Sequence, residues 1–364
     1  MSNTTELSPA IYRIRVAVSV HLYDCFDYQV SAEQYAQAAV GARVSVSFGR
    51  QNLVGLITEK LPLDAPLDSR FKLKAITELL DDHAILDEQI LNLVKWSASY
   101  YQFPIGEVMH SAIPTLLRQG KPYNLLALTW KIIDQKAEDK LKRSLKQQDA
   151  YKILKLHPHG TAETILNLSG VETATLKALE KKDIIQCELE PQNFSPEPVQ
   201  LAQMPLTAND EQKVAIQHIV KSLKKYQAFL LDGLTGSGKT EVYLQAMYEV
   251  LKQGKQVLVL VPEIGLTPQT VSRFQSRFHC NIALLHSGLN DSKRLQAWQH
   301  AQTGKASIII GTRSALFTPM PNLGLIILDE EHDLSFKQHE GFRYHARDVA
   351  MYRAHLHKCP IVLG

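Results

Sequence analysis

Apolar and polar positions follow three regimes along this chain. Ile11–Val20 and Ala42–Phe48 alternate with period two, as half-buried strands do. Asn52–Thr58 pairs with the second of these across a turn at Gly49–Gln51. From Ala84 to Tyr101 the spacing becomes helical, carried by Ile90, Leu91, Val94, Trp96, Ala98 and Tyr101. Residues 10–120 therefore read as a small β-rich domain with a helical appendage.

Over residues 121–198 the pattern predicts short amphipathic helices at Gln147–Leu156, Thr161–Leu168 and Val171–Lys182, the last two joined at Ser169-Gly170. The tight glycine joint between apolar Leu166, Leu168, Leu176 and Leu179 fits a helix-turn-helix. Followed by a strand at Asp183–Leu189, it outlines a winged helix; a plain three-helix module fits the same pattern. Pro191–Pro198 reads as a linker.

From residue 199 to 364 short apolar runs alternate with helical stretches. The runs are Ala228–Leu231, Gln256–Val261, Ile282–Leu285, Ser307–Ile310, Leu325–Leu328 and Ile361–Leu363. The helices lie at Glu241–Lys252, Gln269–Phe278, Asp291–Gln302 and Arg347–His357. Continuous apolar strands separated by helices predict an open parallel α/β sheet with right-handed crossovers. The fold class is thus multidomain, α/β plus β-rich.

That layout gives meaning to one contiguous motif. Gly233-Leu-Thr235-Gly236-Ser237-Gly238-Lys239-Thr240 fits the phosphate-binding pattern G-x-x-x-x-G-K-[ST] at every fixed position, between a strand and a helix. Glycines let the backbone approach phosphate closely, and the helix N-terminus presents free N–H groups to it. Lys239 reaches the β/γ-phosphates and the Thr240 hydroxyl ligates Mg²⁺. Ninety residues past Lys239, an apolar strand ends in Asp329-Glu330-Glu331-His332. At the carboxyl end of a parallel strand, Asp329 is placed to hold Mg²⁺ and Glu330 to orient and deprotonate water. Gln212, opening a helix before the loop, can read an adenine edge or simply sit on a helix surface.

Phe336-Lys337-Gln-His-Glu-Gly-Phe342-Arg343-Tyr344-His345 interleaves aromatic and basic side chains. Such rings stack on bases or join a core; both readings stay open. Thr312 and Arg313 follow a strand at the same rim and are candidates for contacting a nucleic-acid backbone.

Composition adds bounds. At 45% hydrophobic and 21% charged the chain reads as ordinary and globular, and a net charge of +3 does not argue for nucleic acid. Locally, Arg118–Lys155 holds ten Lys/Arg against four Asp/Glu, which fits a nucleic-acid face or a solvated surface. Cys25, Cys187, Cys280 and Cys359 form no C-x-x-C pair, giving no case for zinc and fitting a reducing compartment. No signal peptide and no membrane-length apolar run is visible, so a cytoplasmic location is expected.

Taken together the motifs resemble the bacterial replication-restart helicases of superfamily 2, the primosomal protein N′ (PriA) family. The resemblance is densest over 206–364, in Val261-Pro-Glu-Ile-Gly-Leu-Thr-Pro-Gln269, Leu285-His-Ser-Gly-Leu-Asn290, Ile310-Gly-Thr-Arg-Ser-Ala-Leu-Phe317 and Asp329-Glu-Glu-His332. It extends to Phe26-Asp27-Tyr28, Val46-Ser-Phe-Gly49, Tyr100-Tyr101, Pro104-Ile-Gly106 and Leu116-Leu-Arg118-Gln-Gly120, with Ser47 where the family has proline. The resemblance implies a 3′-end DNA-binding domain, a winged helix over about 135–190 that binds duplex DNA, and the first RecA-like motor lobe. It implies a pocket of Phe26, Asp27, Gly49 and Lys74 for a nascent 3′-OH end, and Gln212 on adenine. It also implies an aromatic-rich loop containing Phe336, Phe342 and Tyr344 that couples DNA to ATP, with His332 linking nucleotide state to DNA. The implied activity is ATP-dependent 3′→5′ unwinding at stalled forks and primosome assembly, in the bacterial cytoplasm near the nucleoid. Implied partners are forked and single-stranded DNA, single-strand-binding protein and other primosomal proteins. The family's second lobe, arginine finger and zinc-binding cysteines are expected beyond Gly364, so the chain reads as an N-terminal fragment that binds DNA and nucleotide and turns ATP over poorly. A non-enzymatic fork-binding module and another P-loop DNA translocase are the competing readings.

Overall fold

The computed structural model describes residues 11–66, 73–123, 126–134, 137, 141, 144–155, 161–162, 166, 170–191, 199–234 and 236–364. Two compact units are present: residues 1–123 with 195–364, and residues 124–194. The first and third segments of the sequence thus fold as one unit.

Its N-terminal part is a closed five-stranded barrel in the order β1-β2-β5-β3-β4, built from β1 (Tyr12–Val18), β2 (Phe26–Val30), β3 (Arg43–Phe48), β4 (Gln51–Leu61) and β5 (Lys74–Leu79). A register shift between Arg15 and Val16 in the β1–β4 ladder supplies the bend that closure needs. Ile14, Val16, Tyr28, Val44, Val46 and Ile57 fill the interior. Helix α1 (Ala32–Gln37) starts in a capping box, Ser31 Oγ accepting from Gln34 N at 3.0 Å and Gln34 Oε1 accepting from Ser31 N at 2.9 Å.

The appendage is α2 (Glu88–Tyr100), α3 (Ile105–Ser111) and α4 (Thr115–Arg118). Asp87 caps α2 by accepting from Ile90 N at 2.8 Å. Gly106 in α3 lies so close to β1 that a Cβ would stand 1.8 Å from the Val18 carbonyl oxygen. Arg43, fully buried, fastens barrel to appendage: it pairs with Asp81 at 2.6 Å and donates to the Leu117 and Lys121 carbonyls, each at 2.8 Å.

The rest of this unit is a six-stranded parallel sheet ordered β10-β16-β15-β11-β14-β13: β10 (Gln227–Leu230), β11 (Gln256–Leu260), β13 (Ile282–Leu285), β14 (Ile308–Gly311), β15 (Leu323–Leu328) and β16 (Pro360–Leu363). Every residue of β11, β14 and β15 is buried, as strands covered on both faces require. Between strands run helices at Asp210–Lys221, Lys239–Leu251, Pro268–Arg277, Asp291–Gln302 and Ala346–Leu356. A two-residue strand β9 (Gln200–Leu201) pairs antiparallel with β12 (Phe278–His279).

Residues 124–194 contain a three-stranded antiparallel sheet ordered β7-β6-β8, from β6 (Leu126–Ile132), β7 (Thr161–Ala162) and β8 (Ile185–Pro191). Helices Leu145–Lys155 and Thr173–Glu180 pack with it around Trp130, Tyr151, Leu154, Leu176 and Leu179. The helix expected over Thr161–Leu168 does not start as foreseen. Thr161 and Ala162 pair with Trp130 and Thr129 as strand, Leu166 is helical, and 163–165 and 167–169 lie outside the described residues. The strand at Leu126–Ile132 had no counterpart in the sequence reading, and most of the expected linker, 192–198, also lies outside the described residues. Among the described residues no helix is long and apolar enough to cross a membrane.

Candidate functional site

All six sheet strands run parallel, so their carboxyl ends share one rim. The loop Gly233–Gly238 leaves β10 there and enters the helix Lys239–Leu251, with Gly236 at φ +86° and Gly238, its N-cap, at φ +89°. Thr235 lies outside the described residues. A Cβ on Gly238 would meet Gln212 Nε2 at 2.4 Å, so only glycine leaves room for that amide. Lys239 donates to the Gly233 carbonyl at 2.8 Å, folding its ammonium back over the loop, and Thr240 is half-buried at the second helical position.

Asp329 sits two strands away in the sheet, past β16, where its backbone N–H reaches the Leu260 carbonyl at 3.0 Å. Its carboxylate accepts from the Tyr243 hydroxyl at 3.2 Å. Burial raises the Asp329 pKa, while the Tyr243 hydrogen bond and the charges of Lys239 and Arg273 pull it back. Lys239 and Asp329 therefore act on each other electrostatically across one rim. Burial and the Asp329 charge push the Tyr243 phenol upward, keeping it a neutral donor. Glu330 is exposed and holds a left-handed backbone, φ +53°, which a non-glycine residue rarely adopts and which turns the chain sharply off the strand. Glu331 N–H bonds the Gly364 carbonyl at 2.9 Å, and His332 is exposed.

Tyr243 and Arg273 escaped the sequence reading. The signal for Tyr243 was present: it lies four residues past Lys239, on the same helical face. Beneath them Glu241 is buried against Arg277, with N–O distances of 2.7 and 3.0 Å. Burial opposes its ionisation, but Arg277 and Gln245 hold its pKa below the usual carboxylate range.

Gln212 is engaged at its own helix terminus. Its Oε1 accepts from Asn209 N at 3.0 Å, and Nε2 makes long contacts to the Ser237 and Gly238 carbonyls at 3.4 and 3.5 Å. Bidentate reading of adenine requires that cap to open.

The residues foreseen as DNA contacts divide. Phe336, Phe342 and Tyr344 are only 1%, 7% and 6% exposed, so the rings foreseen as stacking platforms offer no free face in this structure. Phe342 stacks on Tyr344 at 4.9 Å and packs on Phe317, Tyr101 and Phe103. Tyr101 of the appendage clasps the segment, donating to Asp348 Oδ2 at 3.1 Å and accepting from His345 N at 3.1 Å. The cations between the rings, Lys337 and Arg343, are exposed. Thr312 is buried, its N–H on the Leu285 carbonyl at 3.1 Å. Arg313 bonds Gln338 Oε1 at 2.6 Å and the Ser335 carbonyl at 2.5 Å, tying the strand-end turn to the aromatic segment.

On the barrel, Phe26 packs edge-on against Phe48 at 4.9 Å, and Lys74 pairs in register with Tyr28. Gly49 turns at φ +59° with open space where a Cβ would stand. Asp27 is partly neutralised by Arg15, whose Nε lies 2.9 Å from it, leaving further carboxylate lone pairs to accept a hydroxyl.

These features define an open parallel α/β sheet with a glycine-rich loop and an acidic strand end at one rim, joined to a closed five-stranded barrel. Residues 209–362 match the DEAD/DEAH box helicase family, and residues 15–114 match the 3′DNA-binding domain (3′BD) of PriA. Along most of its length the chain is similar to PriA proteins. It is 42% identical to "Replication restart protein PriA" of Haemophilus influenzae, over 96% of this chain and 48% of that protein. For the namesakes of Bacillus subtilis and Chlamydia pneumoniae the figures are 32% identity over 93% of this chain and 51% of the relative, and 36% over 96% and 47%. The chain spans about half the length of the curated relatives it matches.

Proposed function

We propose that this chain is the DNA- and nucleotide-binding part of an ATP-dependent 3′→5′ DNA helicase that recognises stalled replication forks and starts primosome assembly. The observation that carries the reading is that the Lys239 loop and Asp329 leave strands of one parallel sheet at the same rim, with the Tyr243 hydroxyl reaching from the loop's helix to the carboxylate.

The donor set fits Mg²⁺-nucleotide. Among the described residues no cluster of three or more acidic, histidine or cysteine ligands exists. One carboxylate and one hydroxyl, Asp329 and Thr240, suit an ion that keeps waters and takes its remaining ligands from phosphates. When bound, ATP and Mg²⁺ supply the anhydride to be cleaved and the charge neutralisation that cleavage needs. Lys239 meets phosphate charge from the ammonium now resting on Gly233, and the Gly236–Gly238 backbone cradles it. Glu330, turned outward by its backbone, positions and deprotonates the attacking water. The neutral Tyr243 phenol fixes the Asp329 rotamer. Gln212 contacts adenine on leaving its cap. The exposed Lys337 and Arg343 face a DNA backbone, Thr312 and Arg313 contact it where they line the rim crevice, and Phe336, Phe342 and Tyr344 stack only after the aromatic segment is released from Tyr101. His332 links the two events.

On the barrel, Phe26, Asp27, Gly49 and Lys74 take a nascent 3′-OH end. The unit of residues 124–194, with helices Leu145–Lys155 and Thr173–Glu180 beside an antiparallel sheet, serves as a winged helix on duplex DNA. Single-strand-binding protein and other primosomal proteins are the partners this role calls for, in the cytoplasm at forks.

The test is Lys239→Ala. Fluorescent ATP-analogue binding falls at least tenfold while fork-DNA binding by anisotropy is kept; unchanged nucleotide affinity rejects the phosphate-loop assignment.

A further inference from the structure

One crevice on the rim joins groups from distant parts of the sequence. Ser111 and Arg118 come from the appendage, Arg294 from the helix Asp291–Gln302, and Thr312, Arg313 and Ser314 from the turn after β14. The crevice has a volume of about 280 Å³, and an adjoining recess of about 70 Å³ shares Ser111, Arg118, Arg294 and Ser314 and is also lined by Leu285 and Trp298. Two carboxylates, Glu263 and Glu340, also line the mouth, and Glu263 stands 4.0 Å from Arg313. Arg313 is thus largely engaged, by Glu263, Gln338 and the Ser335 carbonyl.

Arg118 and Arg294 have no carboxylate at bonding distance among the described residues. Among the described residues they hydrogen-bond only to backbone carbonyls, Arg118 Nε to Ile113 at 2.8 Å and Arg294 to His286, Ser287 and Leu289 at 3.1–3.4 Å. Arg294 Nε is buried and bonds nothing. Arg294 also occupies the fourth position of its helix, near the positive end of the macrodipole, where a cation is unfavourable. Arg118 is exposed as a residue, but desolvation of its guanidinium and the Arg294 charge lower its pKa against the opposing Asp291 carboxylate, so the two guanidinium groups repel each other. Two neighbouring cations held in this way are relieved by a shared anion.

We propose that this crevice seats a backbone phosphate of single-stranded DNA, with Arg118 and Arg294 as its principal cations, so that the appendage completes a phosphate seat the motor rim alone leaves open. This rests on the reading that DNA crosses the rim. The crevice draws on the ends of β11, β14 and β13, whereas the nucleotide loop follows β10 at the opposite edge of the sheet. Four strand positions separate β10 from β14, about 19 Å at ordinary spacing, so the two phosphate sites are distinct. The guanidinium and hydroxyl groups favour phosphate, the Gln338 amide is engaged, and the Phe342 and Tyr344 rings that also line the crevice are only 7% and 6% exposed, so the seat does not read bases.

The test uses this chain, a labelled circular single strand and a salt series. A circle has no 3′ end, so the barrel pocket stays out of the measurement. Arg118→Gln, at an exposed stem, lowers affinity roughly tenfold and flattens the slope of log K against log salt by about 0.7. Adding Arg294→Gln flattens it by about the same again, for thymine and mixed-base circles alike. Nucleotide-analogue affinity stays unchanged in Arg118→Gln. Retained affinity and slope in Arg118→Gln, alongside weakening in Arg313→Gln, overturns the seat and leaves the helicase reading standing. A fall in nucleotide affinity instead of DNA affinity overturns it as well. No binding of the circle by the unaltered chain overturns both.

Discussion

The barrel and the parallel sheet place function differently. Closure leaves the barrel no free edge, and its candidate groups, Phe26, Asp27 and Lys74, are side chains at the starts of strands. The open sheet buries β11, β14 and β15 completely and gathers its candidate groups in the loops at one rim. The barrel's chemistry is therefore scattered along the sequence and partly neutralised by neighbours such as Arg15. The sheet's chemistry comes in short contiguous motifs. Through the appendage and the stretch before it, a seam of buried and part-buried polar contacts joins the two regions: Trp298 Nε1 on the Ala112 carbonyl at 3.2 Å, Gln302 Nε2 on the Ile85 carbonyl at 2.7 Å, and Tyr101 on Asp348.

The largest effect is expected in the barrel. Asp81→Ala leaves the fully buried Arg43 without its counter-ion and costs about 3–5 kcal/mol in denaturant unfolding. A loss below about 1 kcal/mol would show that the Leu117 and Lys121 carbonyls suffice to hold that charge. Next is Gly106→Ala, which drives a methyl into the Val18 carbonyl and costs about 2–3 kcal/mol; an unchanged melting temperature would mean that the appendage shifts freely on the barrel.

Acid probes the sheet side. Burial pushes His357 down to about 3 and His300 down to about 4, from an ordinary value of 6.5. Both stay neutral in the folded chain while the unfolded chain protonates. Their contribution is present in full above pH 6.5 and is lost as pH falls toward 4 and then 3. About 2 kcal/mol from His357, and less from the more exposed His300, should go by pH 5, read as a falling thermal midpoint; His357→Gln should flatten the profile. The smallest effect is Tyr101→Phe, which removes the hydrogen bonds to Asp348 and from His345 N and costs about 1 kcal/mol. It sharpens the comparison through a second readout, faster amide exchange over 337–345. Exchange confined to the barrel would show that the seam does not hold the aromatic segment.

Much of the sheet was legible because buried parallel strands leave unbroken apolar runs, and all six expected runs are strands within two residues at either end. The barrel's β5 was not: in Lys74–Leu79 only Ile76 is buried, so no alternation announces it. The strand Leu126–Ile132 also passed unread, since its place is set by pairing with residues about sixty positions away.

By itself the sequence determined the phosphate loop, the acidic strand end and the α/β alternation, because each depends on local spacing and on residues that are neighbours in the chain. Only tertiary structure decided that Lys239 and Asp329 share a rim with the Tyr243 hydroxyl reaching from the loop's helix to the carboxylate, that the aromatic segment is held by Tyr101 from 244 residues away, and that Arg118 and Arg294 line one crevice. Those outcomes follow from strand order and packing between distant segments, which no local pattern of apolar and polar residues encodes.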